Sequence, residues 1–233
     1  MKRISVTMLA LSISSLLQAA PIVIDAPVDH LFVPNGFDNN DNVEVMVTGN
    51  FPTTCFSRNK VEVTVKDEVI NVKVTSLDSS KDNAKCEKIE IPFMENVTIG
   101  NLQAGDYKVV VNNKLTEKLS IDVSSSNSVD EHLYGMISYV ELGFTGGLSG
   151  EAMLVGRSQD CLELDKVEYL SNGKDTLSIL PIMKKVSATC TGEKNYLEVP
   201  VKFQPRAFAS KKVLLFVRTM DGKSISSLVD KDP

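Results

Sequence analysis

The chain reads twice. Cys55 is followed five residues on by Lys60-Val61-Glu62, and Cys161, about 106 residues further along, is followed in the same way by Lys166-Val167-Glu168. Upstream, Val33, Gly36 and Phe37 align with Val140, Gly143 and Phe144, and Glu44, Met46 and Gly49 with Glu151, Met153 and Gly156. Downstream, Cys86 aligns with Cys190, and Pro92 with Pro200 after a small change of offset. A repeat this ordered divides the chain into two copies of one module of about 100 residues.

Within each copy the apolar residues alternate. Val43, Val45 and Val47 alternate with Glu44, Met46 and Thr48; Val61, Val63 and Val65 alternate with Glu62, Thr64 and Lys66. Val69–Val74, Ile89–Ile91, Tyr107–Val111 and Leu119–Val123 continue the habit. Period-two runs rich in β-branched residues predict half-buried strands, and Gly49-Asn50, Gly100-Asn101, Gly105-Asp106 and Asn112-Asn113 supply the turns between them. The second copy repeats the pattern over 151–155, 166–170, 177–180, 197–203 and 212–218, with Asp221-Gly222 as a hairpin signal near the end. Strands at this spacing predict an all-β chain of two antiparallel sandwiches.

The N-terminus, Met1-Lys2-Arg3 followed by a short apolar stretch to Leu17 and by Ala19-Ala20, predicts a secretory signal peptide cleaved near Ala19 or Ala20. The organisation expected is therefore a signal peptide over 1–20, a first domain over 21–123, a polar linker over 124–131 and a second domain over 132–233. No later segment has the uninterrupted apolar length of a membrane span. A net charge of −5 with both signs scattered offers no basic stripe for nucleic acid.

Four cysteines in a chain bound for an oxidising compartment allow three pairings. The repeat favours Cys55–Cys86 and Cys161–Cys190, one bridge per module, each closing a loop of about 30 residues and contributing roughly 3.5–4 kcal/mol in the chain-entropy model. Metal binding is the rival reading, but no C-x-x-C pair or neighbouring histidine supports it.

The segment Pro92-Phe93, Val97, Gly100, Leu102, Ala104-Gly105, Tyr107, Val109 and Val111-Asn112 resembles the closing half of immunoglobulin-like modules in uncharacterised secreted bacterial proteins. Gly36-Phe37 to Val43 and Pro52 to Cys55 fit the opening half of the same module. The likeness covers most of the first copy; in the second, Gly100, Gly105 and Tyr107 lack clear counterparts. The resemblance implies an immunoglobulin-like β-sandwich and a cell-envelope location, and supplies no catalytic residues.

Candidate chemistry is sparse. His30 and His132 each sit in an acid-His-Leu-aromatic string, Asp29-His30-Leu31-Phe32 and Glu131-His132-Leu133-Tyr134, readable as a metal or pH-sensitive contact or as plain strand-edge residues. The oxygen-rich loop Asp38-Asn39-Asn40-Asp41-Asn42 offers calcium donors without the EF-hand spacing, and reads otherwise as a solvated turn. Thr145-Gly146-Gly147-Leu148-Ser149-Gly150 lacks the Lys-Ser/Thr of a phosphate loop. No nucleophile elbow or histidine-linked serine appears. The expectation is a non-enzymatic protein without cofactor or metal, acting as a binding or structural module in the periplasm or outside the cell, its partner an envelope or surface protein or a glycan. A pilus-type periplasmic chaperone and an enzyme acting on envelope polysaccharide are the alternatives.

Overall fold

A computed structural model describes residues 20–81, 85–125, 133–145, 149–192 and 194–231; residues 1–19, where a signal peptide is expected, most of the expected linker and His132 lie outside these residues. The fold is all-β. The first half supplies β1 (Ile22–Asp25), β2 (Val28–Phe32), β3 (Phe37–Asp38), β4 (Val43–Phe51), β5 (Phe56–Lys66), β6 (Val69–Asp78), β7 (Ile91–Gly100), β8 (Gly105–Val111) and β9 (Leu115–Asp122). The second supplies β10 (Leu133–Tyr134), β11 (Met136–Thr145), β12 (Ser149–Gln159), β13 (Leu162–Ser171), β14 (Thr176–Lys185), β15 (Lys194–Phe203), β16 (Lys212–Thr219) and β17 (Lys223–Asp230).

These strands make four sheets, and every sheet draws on one half only. Sheet I is β1-β6-β8-β9-β3, with β5 on the other side of β6; sheet II is β2-β4-β7. Sheet III is β10-β14-β16-β17, with β13 on the other side of β14; sheet IV is β11-β12-β15. The two halves thus share one connectivity, down to the parallel ladders β6–β8 and β14–β16. Most remaining ladders are antiparallel as the hairpin signals predict, with β3–β9 a further parallel exception.

Inward-facing residues make the sandwich cores. Ile70, Val72 and Val74 of β6 and Val109 and Val111 of β8 pack with Val45, Val47 and Val97 of sheet II. Ile179, Val213, Leu215 and Val217 of sheet III pack with Leu154, Val199 and Val201 of sheet IV. The bridges are Cys55–Cys86 and Cys161–Cys190, with Cα–Cα separations of 5.4 and 4.8 Å, one per sandwich. Each ties the connection leading into β5 or β13 to the connection leading into β7 or β15.

The two sandwiches are stacked rather than strung. The expected half-buried pattern fails at β4, which is buried on both faces: Glu44, Met46 and Thr48 are as enclosed as Val45 and Val47. The same holds for β16. Val213, Leu215 and Val217 fill the second core, while the alternate residues Leu214 and Phe216 join the first. The outer face of sheet II therefore lies against the outer face of sheet III, giving four layers in the order I, II, III, IV. Phe216 meets Phe37 edge-on with ring centroids 5.7 Å apart, and Leu228 of β17 packs beside it.

Ladder registers refine the repeat. Val61 pairs with Val74 and Val167 with Pro181, so the two Lys-Val-Glu strings occupy one place in the fold. Lys60–Glu62 and Lys166–Glu168 ion pairs recur along them. The first strands align differently from the sequence match. Leu31 pairs with Val47 and Val140 with Leu154, so Leu31 rather than Val33 is the counterpart of Val140. Pro92 pairs with Asn50 and Pro200 with Met153, so these prolines are four residues apart in register. Slips of an even number keep every side chain on its face, which is why alternation alone does not detect them.

Candidate functional site

Charged and polar side chains gather at two places: the seam between sheets II and III, and the open outer faces of sheets I and IV. At the seam, Arg218 follows Leu214 and Phe216 on the face of β16 turned to the first sandwich. Its Nη1 donates to Asp41 Oδ2 at 2.8 Å and to the Gly36 carbonyl at 3.0 Å, and its Nη2 donates to Asp41 Oδ1. The guanidinium lies 5.0 Å from the Tyr134 ring centroid and 5.6 Å from that of Phe37. Both partners of this ion pair are over nine-tenths buried. Charge burial at this depth is tolerated because the planar fork satisfies several acceptors at once.

A second pair closes the other end. His30 Nε2 lies 2.8 Å from Asp175 Oδ2, and the Asp175 side chain is only 1% exposed. Asn172 Nδ2 and Thr176 Oγ1 donate to Asp175 Oδ1 at 2.8 and 3.0 Å. Burial opposes the charge of Asp175, but hydrogen bonds from His30, Asn172 and Thr176, with the attraction of His30, hold its carboxyl below the ordinary value. Between the pairs, Glu44 accepts from Ser224, Asn96 and Thr98. Lys174 bridges to Glu117 of β9, and Asn42 Nδ2 donates to the Gly222 carbonyl at 3.2 Å.

These contacts settle where the sequence candidates lie. His30 pairs with Asp175 of the other sandwich and not with its neighbour Asp29, which accepts instead from Thr48 and Asn50. The acid–His string is thus no local unit. In the loop 38–42, Asp38 Oδ1 accepts the Asn40 N–H, and the Asp41 carboxylate accepts the Asp38 N–H and Arg218. That charge is committed to an internal cation, which removes the strongest donor from the calcium reading. Residues 146–148 of the glycine-rich stretch lie outside the described residues. Asp160 approaches Cys161 and Cys190 closely, yet both sulfurs are in the bridge and offer no thiolate. Thr191 instead holds the Asp160 carboxyl below its ordinary value through its hydroxyl and its N–H. Asp175, Glu44 and Arg218 were not found by sequence reasoning. Arg218 carried a usable signal: a lone cation ending the apolar run Val213 to Val217 marks a strand with two buried faces and a charge needing a partner.

The outer face of sheet IV is open. It presents Tyr139 and Glu141 of β11, Glu151 and Arg157 of β12, and Tyr196, Glu198 and Lys202 of β15 around a buried Val155, by the registers Tyr139↔Val155↔Glu198, Arg157↔Tyr196 and Glu151↔Lys202. Tyr139 is 47% exposed and Tyr196 68%. Partial desolvation raises the pKa of the Tyr196 phenol, helped by its hydrogen bond to Glu198 at 3.1 Å and by the negative field of Glu198, Tyr139 and Glu141. Among the described residues, neither Glu141 nor Glu198 forms an ion pair. The outer face of sheet I is also mixed in charge: Lys108 and Lys118 stand directly opposite each other across the β8–β9 ladder, two residues from Asp106, with the Lys60–Glu62 and Lys73–Asp25 ion pairs further along the face.

Fold, bridges and stacking define a β-sandwich protein in which two disulfide-bonded domains share a buried face. A family model described as the ORF11 beta-sandwich domain matches residues 45–121, from within β4 to Ile121 of β9. That span lies wholly in the first sandwich and covers most of its strands. No curated protein and no solved structure matches the chain. Among the described residues, no helix is long and apolar enough to cross a membrane.

Proposed function

We propose that this protein is a non-enzymatic binding or structural module of the cell envelope or surface, exported by its N-terminal signal peptide and working in the periplasm or outside the cell. The observation that carries the reading is the use to which the polar groups are put. His30, Asp41, Asp175, Arg218 and Glu44 hold one sandwich to the other, and the four cysteines staple the loops. Side chains bound into structural contacts are not poised for turnover, whereas a flat sheet face bearing exposed tyrosines has the composition of a recognition surface. Two disulfides fit an oxidising compartment.

Cross-linking and pull-down of the purified protein from envelope extracts of its own cells tests this. A stoichiometric envelope partner is the expected result. Reproducible turnover of an envelope polysaccharide, abolished by a single substitution outside the seam, would overturn it.

A further inference from the structure

Two turns interlock at the edge of the seam, and both are built on the same dipeptide. Asn-Gly occurs twice in the chain, at Asn35-Gly36 and at Asn172-Gly173, once in each half. Both glycines take a positive φ, 88° and 70°, as a tight turn requires. Asn35 Nδ2 donates to the Ser171 carbonyl at 3.3 Å, and Asn172 Nδ2 donates back to the Val33 carbonyl at 3.4 Å. An asparagine before glycine is chemically labile. The glycine nitrogen, unhindered by a β-carbon, attacks Cγ of the asparagine and closes a succinimide ring. The two turns differ in how far they permit that attack. Asn172 Oδ1 accepts the backbone N–H groups of Lys174, Asp175 and Thr176. Its Nδ2 also donates to Asp175 Oδ1 at 2.8 Å, and the Gly173 N–H is held by Ser171 Oγ at 2.9 Å. Ring closure there must break this set at a partly buried side chain. Asn35 is exposed, its amide is held by one long hydrogen bond, and the Gly36 N–H donates to no acceptor among the described residues.

We propose that Asn35 is a modification site: it deamidates spontaneously, and the product loosens the seam between the two sandwiches. The Gly36 nitrogen gives up its proton to hydroxide and bonds to Asn35 Cγ. The Cγ–Nδ2 bond then breaks, and the side-chain nitrogen takes up a proton and leaves as ammonia. Water opens the ring at either carbonyl, giving aspartate or, with the main chain rerouted through the side chain, isoaspartate. No reactant beyond water is consumed. Either product carries a carboxylate where the amide stood and no longer donates to the Ser171 carbonyl. Gly36 has no slack to absorb the change. A Cβ on it would come 2.3 Å from Leu170 Cδ1 across the seam, and its carbonyl accepts Arg218 Nη1 at 3.0 Å. Isoaspartate adds a methylene to the main chain directly before Gly36. That shift withdraws an acceptor from a buried guanidinium, which is costly.

Peptide mapping by mass spectrometry after incubation in mildly alkaline buffer tests this, on the folded protein and on the same protein in urea. In the folded protein Asn35 is expected to lose its amide at least about tenfold faster than Asn172, because local opening must precede attack at Asn172. In urea the two rates converge. Equal rates in the folded protein, or an Asn35 that keeps its amide while the unfolded chain loses it, overturn the proposal. The acidic fraction of the incubated protein, separated by ion exchange, is expected to melt at a lower temperature than the unmodified protein. Asn35→Gln, incubated in the same way, keeps its melting temperature. Deamidation at Asn35 with no change in melting, or an equal loss in Asn35→Gln, overturns the link to the seam and with it the proposal.

Discussion

Arg218 and Asp41 are drawn from opposite ends of the chain and meet where neither touches bulk water. Removing one partner leaves the other charged and enclosed, so Asp41→Ala is expected to cost about 3–5 kcal/mol in urea unfolding. The double change Asp41→Ala with Arg218→Met should cost less than the sum of the two single changes, because the stranded charge is gone. Strict additivity would place the pair outside the seam's energetics. Asp175 sets the acid limit. A carboxyl whose folded pKa lies below its unfolded value contributes stability above that unfolded value, and the contribution is lost as pH falls through the folded pKa. For Asp175, whose ordinary value is 3.8, the stabilisation is complete near neutrality and fades under strongly acidic conditions. Asp175→Asn should flatten the acid limb of a stability-versus-pH curve measured by thermal melting. An unchanged acid limb would show that other carboxylates dominate it.

At the scale of elements, Gly49 and Gly156 do the same work in the two halves. Each lies in the central strand of a three-stranded sheet, opposite an irregularity in the first strand between Val28 and His30 or between Ile137 and Tyr139. A Cβ at Gly49 would come 2.2 Å from the Pro27 carbonyl oxygen, and one at Gly156 2.2 Å from that of Met136. Backbone oxygens cannot rotate away as a side chain would. Gly49→Ala and Gly156→Ala are each expected to destabilise by about 2–3 kcal/mol in urea unfolding, from the strain of parting two strands. Gly173→Ala makes the control. It has a positive φ of 70° and open space around the added methyl, so its cost should stay near 1 kcal/mol. Equal losses at all three positions would remove close approach as the cause. The edge strands β7 and β15 carry Pro92 and Pro200, each lacking an N–H to offer a passing strand.

The whole molecule unfolds as its layers dictate. The repeat suggests two independent domains, in which loss of one bridge leaves the other half folded. Leu214 and Phe216, carried by the second sandwich but buried in the core of the first, couple the two. One cooperative transition is therefore expected in calorimetry, and Cys161→Ser should lower the stability of both halves together. Phe216→Ala should cost about 3–5 kcal/mol and split the transition in two, the first sandwich melting apart from the second. Two transitions already present in the unmodified protein would refute the coupling.

Sequence alone determined the local terms. Alternation at period two, turn residues at regular intervals and the Cys-x4-Lys-Val-Glu repeat are short-range patterns, and they specified an all-β fold, the place of most strands and the Cys55–Cys86 and Cys161–Cys190 bridges. The tertiary structure decided which faces meet. Glu44, Met46 and Thr48 alternate with valines as a solvent face would, and Leu214 and Phe216 look like ordinary core residues. Their shared burial depends on how one sandwich lands on the other. That landing places Asp175 beside His30, 145 residues away, and Arg218 beside Asp41, 177 residues away. A pattern with a period of two residues carries no information about contacts at such separations. They follow from burying two apolar faces at once and from pairing every charge enclosed between them.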